Sequence, residues 1–216
     1  TCDWGWQEQQ PAGVTRTYLG VEVFEGHDRY RGMDLVPSWG GSMFEALMVP
    51  LFVPEAEWSP HSWGTTHRRY VRSQIEHGLI EEDYGYWGFS PANIPEGGYR
   101  EYGVDAIGMQ EDGYHSLGVV TPHASFLALP QAPDEAIANL ERLVRNLDAY
   151  DDRYGFRDSV NVTTGRVSDH VLALDQGMIA AALAQHLRPG LLQRPFRTTG
   201  FLSRVRPLLG KERFSI

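Results

Sequence analysis

The chain has 216 residues, 42% of them hydrophobic, which is enough for the core of one domain. Its formal net charge of −9 sets most of the surface against a nucleic-acid backbone, and its single cysteine, Cys2, excludes an internal disulfide framework and a cysteine-based zinc site. The longest apolar stretches, residues 43–53 and 178–183, fall well short of the ~20 residues that span a bilayer.

Residues 1–37 have little helical periodicity. Within them TRTYLGVEVF (residues 15–24) alternates β-branched and aromatic positions, so a short hairpin near the N-terminus is expected. A helix is expected over residues 42–49, with Ser42 as N-cap and Glu45 at its third position. A second is expected over residues 66–77, capped by Thr65 or Thr66 and ended by Gly78. Residues 84–118 are rich in Gly and aromatics and too long for an ordinary connector, which marks them as a functional loop.

Thr121 and Pro122 open a helix running to Leu129. Pro133 starts another, with Ile137, Leu140, Val144 and Leu147 as its apolar face. A further helix covers residues 175–187 and a weaker one residues 200–209. Helix follows helix with neither βαβ alternation nor a fixed-period repeat, so a mainly α, layered fold is expected.

The aromatic inventory is unusual: 6 Trp, 10 Tyr and 9 Phe. All six tryptophans (Trp4, Trp6, Trp39, Trp58, Trp63 and Trp87) stand in Gly, Pro or Ser-rich stretches that read as loops. Flat aromatic faces suit the C–H surface of a sugar ring and carboxylates accept its hydroxyl protons, although the same residues also serve as packing under long loops.

Six motifs then appear in order: SWGGSMFEALMVPLFVPE (residues 38–55), YGYWGFSPAN (84–93), GGYREYGVDAIG (97–108), VVTPHASFLALPQAPDEAIANL (119–140), YGFRDSVN (154–161) and LALDQGMI (172–179). Their succession resembles the glycoamylase-like family of (α/α)-barrel glycoside hydrolases, which is related to β-1,2-glucanases and to a domain of cyclic β-1,2-glucan synthases. The resemblance implies an (α/α)-barrel, or toroid, acting on a β-linked glucan or related envelope polysaccharide. A full barrel of six helical hairpins needs about twelve helices. The six expected here make residues 1–216 the C-terminal part of an incomplete barrel that lacks its N-terminal part.

That reading leads to three further expectations. Apolar faces around Phe44, Leu47 and Met48, or Ile179, Ala182 and Leu183, are left exposed, with self-association or pairing with a missing N-terminal half. The start at Thr1 without a basic-then-apolar leader indicates a processed protein or a fragment, and a periplasmic, cell-envelope or secreted location is expected. The stretch from Met109 to Gly118 is shorter than in the family.

Glycoside chemistry needs one carboxylic acid to protonate the leaving oxygen and one carboxylate to attack or to activate water. Glu45, amid Met43, Phe44, Ala46, Leu47 and Met48, is the first candidate, since desolvation raises a carboxyl's pKa as a general acid requires; the S-x-x-E pattern equally makes it a capping partner of Ser42. Asp175 is the second, either as a plain N-cap or, as the resemblance implies, at the sugar cleft beside Gln176. Asp158 reads as a substrate hydrogen-bonding acid or a turn residue. His123 reads as a sugar ligand, a neighbour that tunes an acid, or a packed core histidine. Trp39, Trp87, Tyr99 and Tyr102 are the candidate stacking platform, Trp39 and Trp87 foremost because their glycine neighbours leave their faces open. No nucleophile elbow, phosphate loop, paired-cysteine or His-Glu zinc motif is present, and no cofactor or metal is expected. A carbohydrate-binding or structural helical domain without catalysis is the alternative.

Overall fold

The computed structural model describes residues 12–198, 200–214 and 216; Trp4, Trp6 and Cys2 lie outside them. The chain begins with an antiparallel meander of β1 (Ala12–Tyr18), β2 (Val21–Tyr30) and β3 (Met33–Leu35). The two-residue loop Leu19-Gly20, with φ of 52° and 83°, closes the first hairpin, and its left-handed pair matches strand twist as a type I′ turn does. The meander is thus longer than the short hairpin expected. Buried Glu25 of β2 ties it to the C-terminal residues, accepting from Arg16, Tyr18 and the backbone N–H groups of Arg213 and Phe214.

Among the described residues eight α-helices follow: α1 (Met43–Leu47), α2 (Glu55–Trp58), α3 (Trp63–Glu76), α4 (Pro122–Ala128), α5 (Pro133–Leu147), α6 (Ala173–Leu187), α7 (Arg194–Arg197) and α8 (Gly200–Leu209). The fold is mainly helical with short strands between. Every residue of α4 (PHASFLA) is buried, the polar His123 and Ser125 included, and α4 packs against α1, α5 and α6. This arrangement brings the first turns of α4 and α6 together.

Several local expectations change. Helix α3 starts at Trp63 because that ring is anchored: it stacks edge-on against Phe214 at 5.1 Å and its Nε1 donates to Glu212 at 2.6 Å. Nor does the helix end at Gly78; a π turn, His77–Glu81, carries it on. Gly78 serves close approach instead, since a Cβ there meets the Tyr86 carbonyl oxygen at 2.2 Å.

The buried face of α5 is Ala136, Asn139, Leu140 and Leu143, leaving Ile137 at 46% and Val144 at 40% exposure. Asn139 sets that rotation, because its buried amide donates to the Trp87 carbonyl at 2.8 Å and to Ser125 Oγ at 2.9 Å. The expected bare faces are also mostly covered: Leu47, Ile179 and Ala182 are buried and Phe44 and Met48 half-buried, leaving Leu183 alone of the six exposed. Their neighbours within the core are Tyr70, Leu127 and Met178 among others, all from this chain.

Residues 84–118 lie only partly over the surface: 96–101 are exposed, but other parts run through the interior. Trp87 and Phe89 are fully buried in the main core, and Tyr102 packs with Ala92 and Val119 in a smaller cluster. Farther on, β6 (Val119–Val120), β9 (Val160–Asn161) and β10 (Arg166–Val167) form a small sheet in the order β10-β9-β6. Because β6 leads directly into α4, this sheet holds the residues just before β9 beside the α4 N-terminus.

Candidate functional site

Three sequence-marked residues converge where α4, α6 and the lead into β9 meet. His123 is the second residue of α4, Asp175 the third of α6, and Asp158 stands two residues before β9; their exposures are 1%, 3% and 1%. Asp175 is not the N-cap, a position held by Leu172, but lies inside the first helical turn. His123 Nδ1 is 3.2 Å from Asp175 Oδ2, close enough for an ion pair yet off the line of a hydrogen bond.

Asp158 is pinned from several sides. Its N–H donates to the His170 carbonyl at 3.0 Å, its Oδ2 accepts from the Asn93 N–H, and Ser159 Oγ donates to the Asn93 carbonyl. Burial, then the hydrogen bond and charge of Asp175, push the Asp158 carboxyl up to about 8. Burial also works to raise Asp175, but the close His123 imidazole and then Asp158 outweigh it and hold Asp175 below the usual carboxylate range. Opposite shifts in two touching carboxyls are what a single shared proton produces.

Glu45 is held separately, in the first turn of α1. Its Oε2 accepts from Ser38 Oγ at 2.6 Å, Gly40 N–H at 2.9 Å and Ser42 N–H at 3.4 Å, while Ser42 Oγ accepts from the Glu45 N–H at 3.3 Å. The capping box is therefore complete, and Glu45 is held firmly while remaining half-buried. Ser38 Oγ is itself 2.6 Å from the buried Tyr70 hydroxyl.

Two tyrosines respond to these carboxyls. Tyr114 lies over Gly40, where a Cβ meets its ring at 2.0 Å, and its phenol is pushed up to about 12 by burial, then by the charges of Glu45 and Glu101 and hydrogen bonding to Glu45. Tyr99, 55% exposed, is raised by burial and then by the charges of Asp175, Asp158 and Glu101; its own charge acts on Tyr114 in turn. The charge of Glu45 is thus felt at Tyr114 and that of Asp175 at Tyr99. Sequence reasoning missed Tyr114; the glycine pair in SWGGS was its signal, because Gly40 makes room for its ring.

The remaining candidates separate. Half-buried Trp39 lines a cavity of about 290 Å³ with Ser38, Glu45, Trp63 and His67. Trp87 and Tyr102 are corrections: at 0% and 2% exposure neither offers a face to a ligand, because the chain around them runs through the interior. Asp158 and His123 both face Asp175, which places them behind it rather than beside a sugar. Gln176 donates to the Phe156 carbonyl at 2.9 Å, so its amide holds the neighbouring hairpin. Among the described residues no three His, Cys, Asp or Glu side chains cluster as metal ligands, and no helix is long and apolar enough to cross a membrane.

A family model described as "Putative glucoamylase" matches residues 12–200. The cyclic β-(1,2)-glucan synthase NdvB of Rhizobium meliloti (strain 1021) is 33% identical over 186 residues, a match covering 80% of this chain and 6% of the synthase. Two endo-β-1,2-glucanase structures share the fold. The enzyme from Chitinophaga pinensis matches with a TM-score of 0.63 at 18% identity over 87% of this chain and 45% of its own. That from Talaromyces funiculosus, in complex with sophorose, gives 0.65 at 15% over 93% and 40%. The chain spans less than half the length of each of these relatives, and by its sequence it belongs to the glycoamylase family.

Proposed function

We propose that this chain contributes the active cleft of a glycoside hydrolase or transglycosylase acting on a β-linked glucan, and that it is part of a larger (α/α)-barrel. The observation that carries the reading is the buried Asp158–Asp175–His123 cluster, with Glu45 held separately in its capping box. Cleavage of an acetal requires two carboxyl groups, one to protonate the leaving oxygen and one held as the anion, as Asp175 is favoured to be.

In this reading Glu45 protonates the leaving glycosidic oxygen. Its Oε2 is fixed by three donors, so Oε1 is the oxygen that carries and delivers the proton. Asp175 activates water or an acceptor hydroxyl, or attacks the anomeric carbon. Trp39 and Tyr99 pack on the sugar rings. The β-1,2 linkage is the first choice of substrate, because it is the one named for the similar synthase and glucanases.

The test is product analysis after incubating the chain with linear β-1,2-glucan beside β-1,3-, β-1,4- and α-1,4-glucans. Shortened or rearranged β-1,2-glucan supports the proposal, and turnover of none of the four refutes it. A second reading, sugar binding without turnover, is favoured by the chain's spanning less than half of the glucanases it resembles; binding with no products would establish it.

A further inference from the structure

We propose that Asp158 is a positioning residue for Asp175: it holds one proton for the pair, and that proton fixes Asp175 as an anion with one oxygen left for the ligand. The inference rests on the reading of Asp175 as the residue that meets water or sugar, and adds the group that keeps it in the required state.

The geometry leads there by elimination. Asp158 Oδ1 and Asp175 Oδ2 are both sealed from solvent without a conventional hydrogen-bond partner. A carboxylate only accepts, so two ionised groups in contact leave both oxygens unsatisfied and two like charges buried together. One proton between them removes both costs. It belongs on Asp158, since His123 Nδ1 stands 3.2 Å from Asp175 and favours the charge there. Asp158 is in turn immobilised by the Asn93 N–H and by its own N–H on the His170 carbonyl.

The contact also says what Asp158 is not. Carboxyl groups that flank a scissile glycosidic bond stand roughly 5 to 9.5 Å apart, and a pair in hydrogen-bond contact is too close to admit the sugar. Asp158 is therefore not the acid partner of Asp175, a role left to Glu45. Its proton stays on it through turnover: when Asp175 removes a proton from water, that proton returns to solvent from Asp175. His123 is the titratable group that acts on the dyad, and the dyad's charge is felt as far as Tyr99.

Infrared spectroscopy of the whole chain tests the proposal without needing a substrate. At about pH 6.5 ordinary carboxyls are ionised, so wild type is expected to show a protonated-carboxyl stretch that disappears as pH rises through about 8. The band is expected to be missing from Asp158→Asn and retained in Glu45→Gln. Absence of the band from wild type, or its persistence in Asp158→Asn, overturns the proposal. With glucan, Asp158→Asn keeps an N–H donor toward Asp175 and should retain activity within about tenfold while losing the alkaline limb of its pH profile; Asp158→Ala should lose about a hundredfold. A band with no glucan turnover leaves the dyad standing and removes the proposed reaction; turnover with no band removes the dyad alone.

Discussion

His123 Nδ1 lies 3.2 Å from Asp175 Oδ2 where the first turns of two adjacent helices meet, and the two atoms of that contact are sealed from solvent. Burial of that contact makes the ionisation state of its neighbour Asp158 a property of the whole fold, with consequences for stability as well as chemistry.

The first consequence is a stability slope. A carboxyl whose folded-state pKa lies above its unfolded value of about 3.9 binds its proton more tightly when folded. Its contribution is complete below the unfolded value and is lost as pH rises through the folded value, here about 8. Asp175, lowered in the fold, acts oppositely, losing its contribution only as pH falls below the ordinary carboxylate range. Between pH about 5 and 8 the Asp158 effect dominates. Thermal unfolding across this window should show a Tm that falls less in Asp158→Asn than in wild type, and an unchanged slope would contradict the assignment.

Helix α5 depends on Asn139. Replacing Asn139 with Ala leaves the Trp87 carbonyl without that amide donor, removes a bond to Ser125 and opens a small hole, which should cost about 1–3 kcal/mol. Urea unfolding measures it. A neutral result would mean that the rotation of α5 is set elsewhere.

At Gly78 two principles give opposite signs. Helix propensity alone has Gly78→Ala stabilising by about 1 kcal/mol. Close approach has it destabilising, because the new Cβ meets the Tyr86 carbonyl oxygen at 2.2 Å. We expect a lower Tm.

Trp39 and Trp87 should separate in kind. Trp39→Ala is expected to weaken glucan binding about tenfold or more while the chain stays folded. Trp87→Ala, at a fully buried position, should cost about 3–5 kcal/mol of stability. Isothermal titration with a β-1,2-glucan oligosaccharide, beside urea unfolding, distinguishes the two.

The parts of the fold legible in the sequence are those written in local chemistry. Pro133 and the first-turn acids Asp134 and Glu135 mark the start of α5, and S-x-x-E at Ser42 and Glu45 encodes a capping box that the structure contains. The order of six motifs was enough to identify the family. What escaped is set by contacts distant in sequence. A tryptophan between Tyr86 and Gly88 looks the same whether its segment crosses the surface or threads the core, and only packing decides for Trp87. The buried face of α5 turned on one polar residue, Asn139, that a search for apolar periodicity ignores. Asp158 meets Asp175 because β9 pairs with β6 beside α4, a relation that two-residue strands do not announce.

The most direct test of the central claim separates acid catalysis at Glu45 from binding. For Glu45→Gln, kcat is measured on β-1,2-glucan and on an aryl β-glycoside of a β-1,2-linked disaccharide whose phenolate leaves without protonation. A general acid at Glu45 predicts a loss of about 10²–10⁴ on the glucan and a far smaller loss on the aryl substrate. Equal losses on both, or undiminished glucan turnover, would contradict the account.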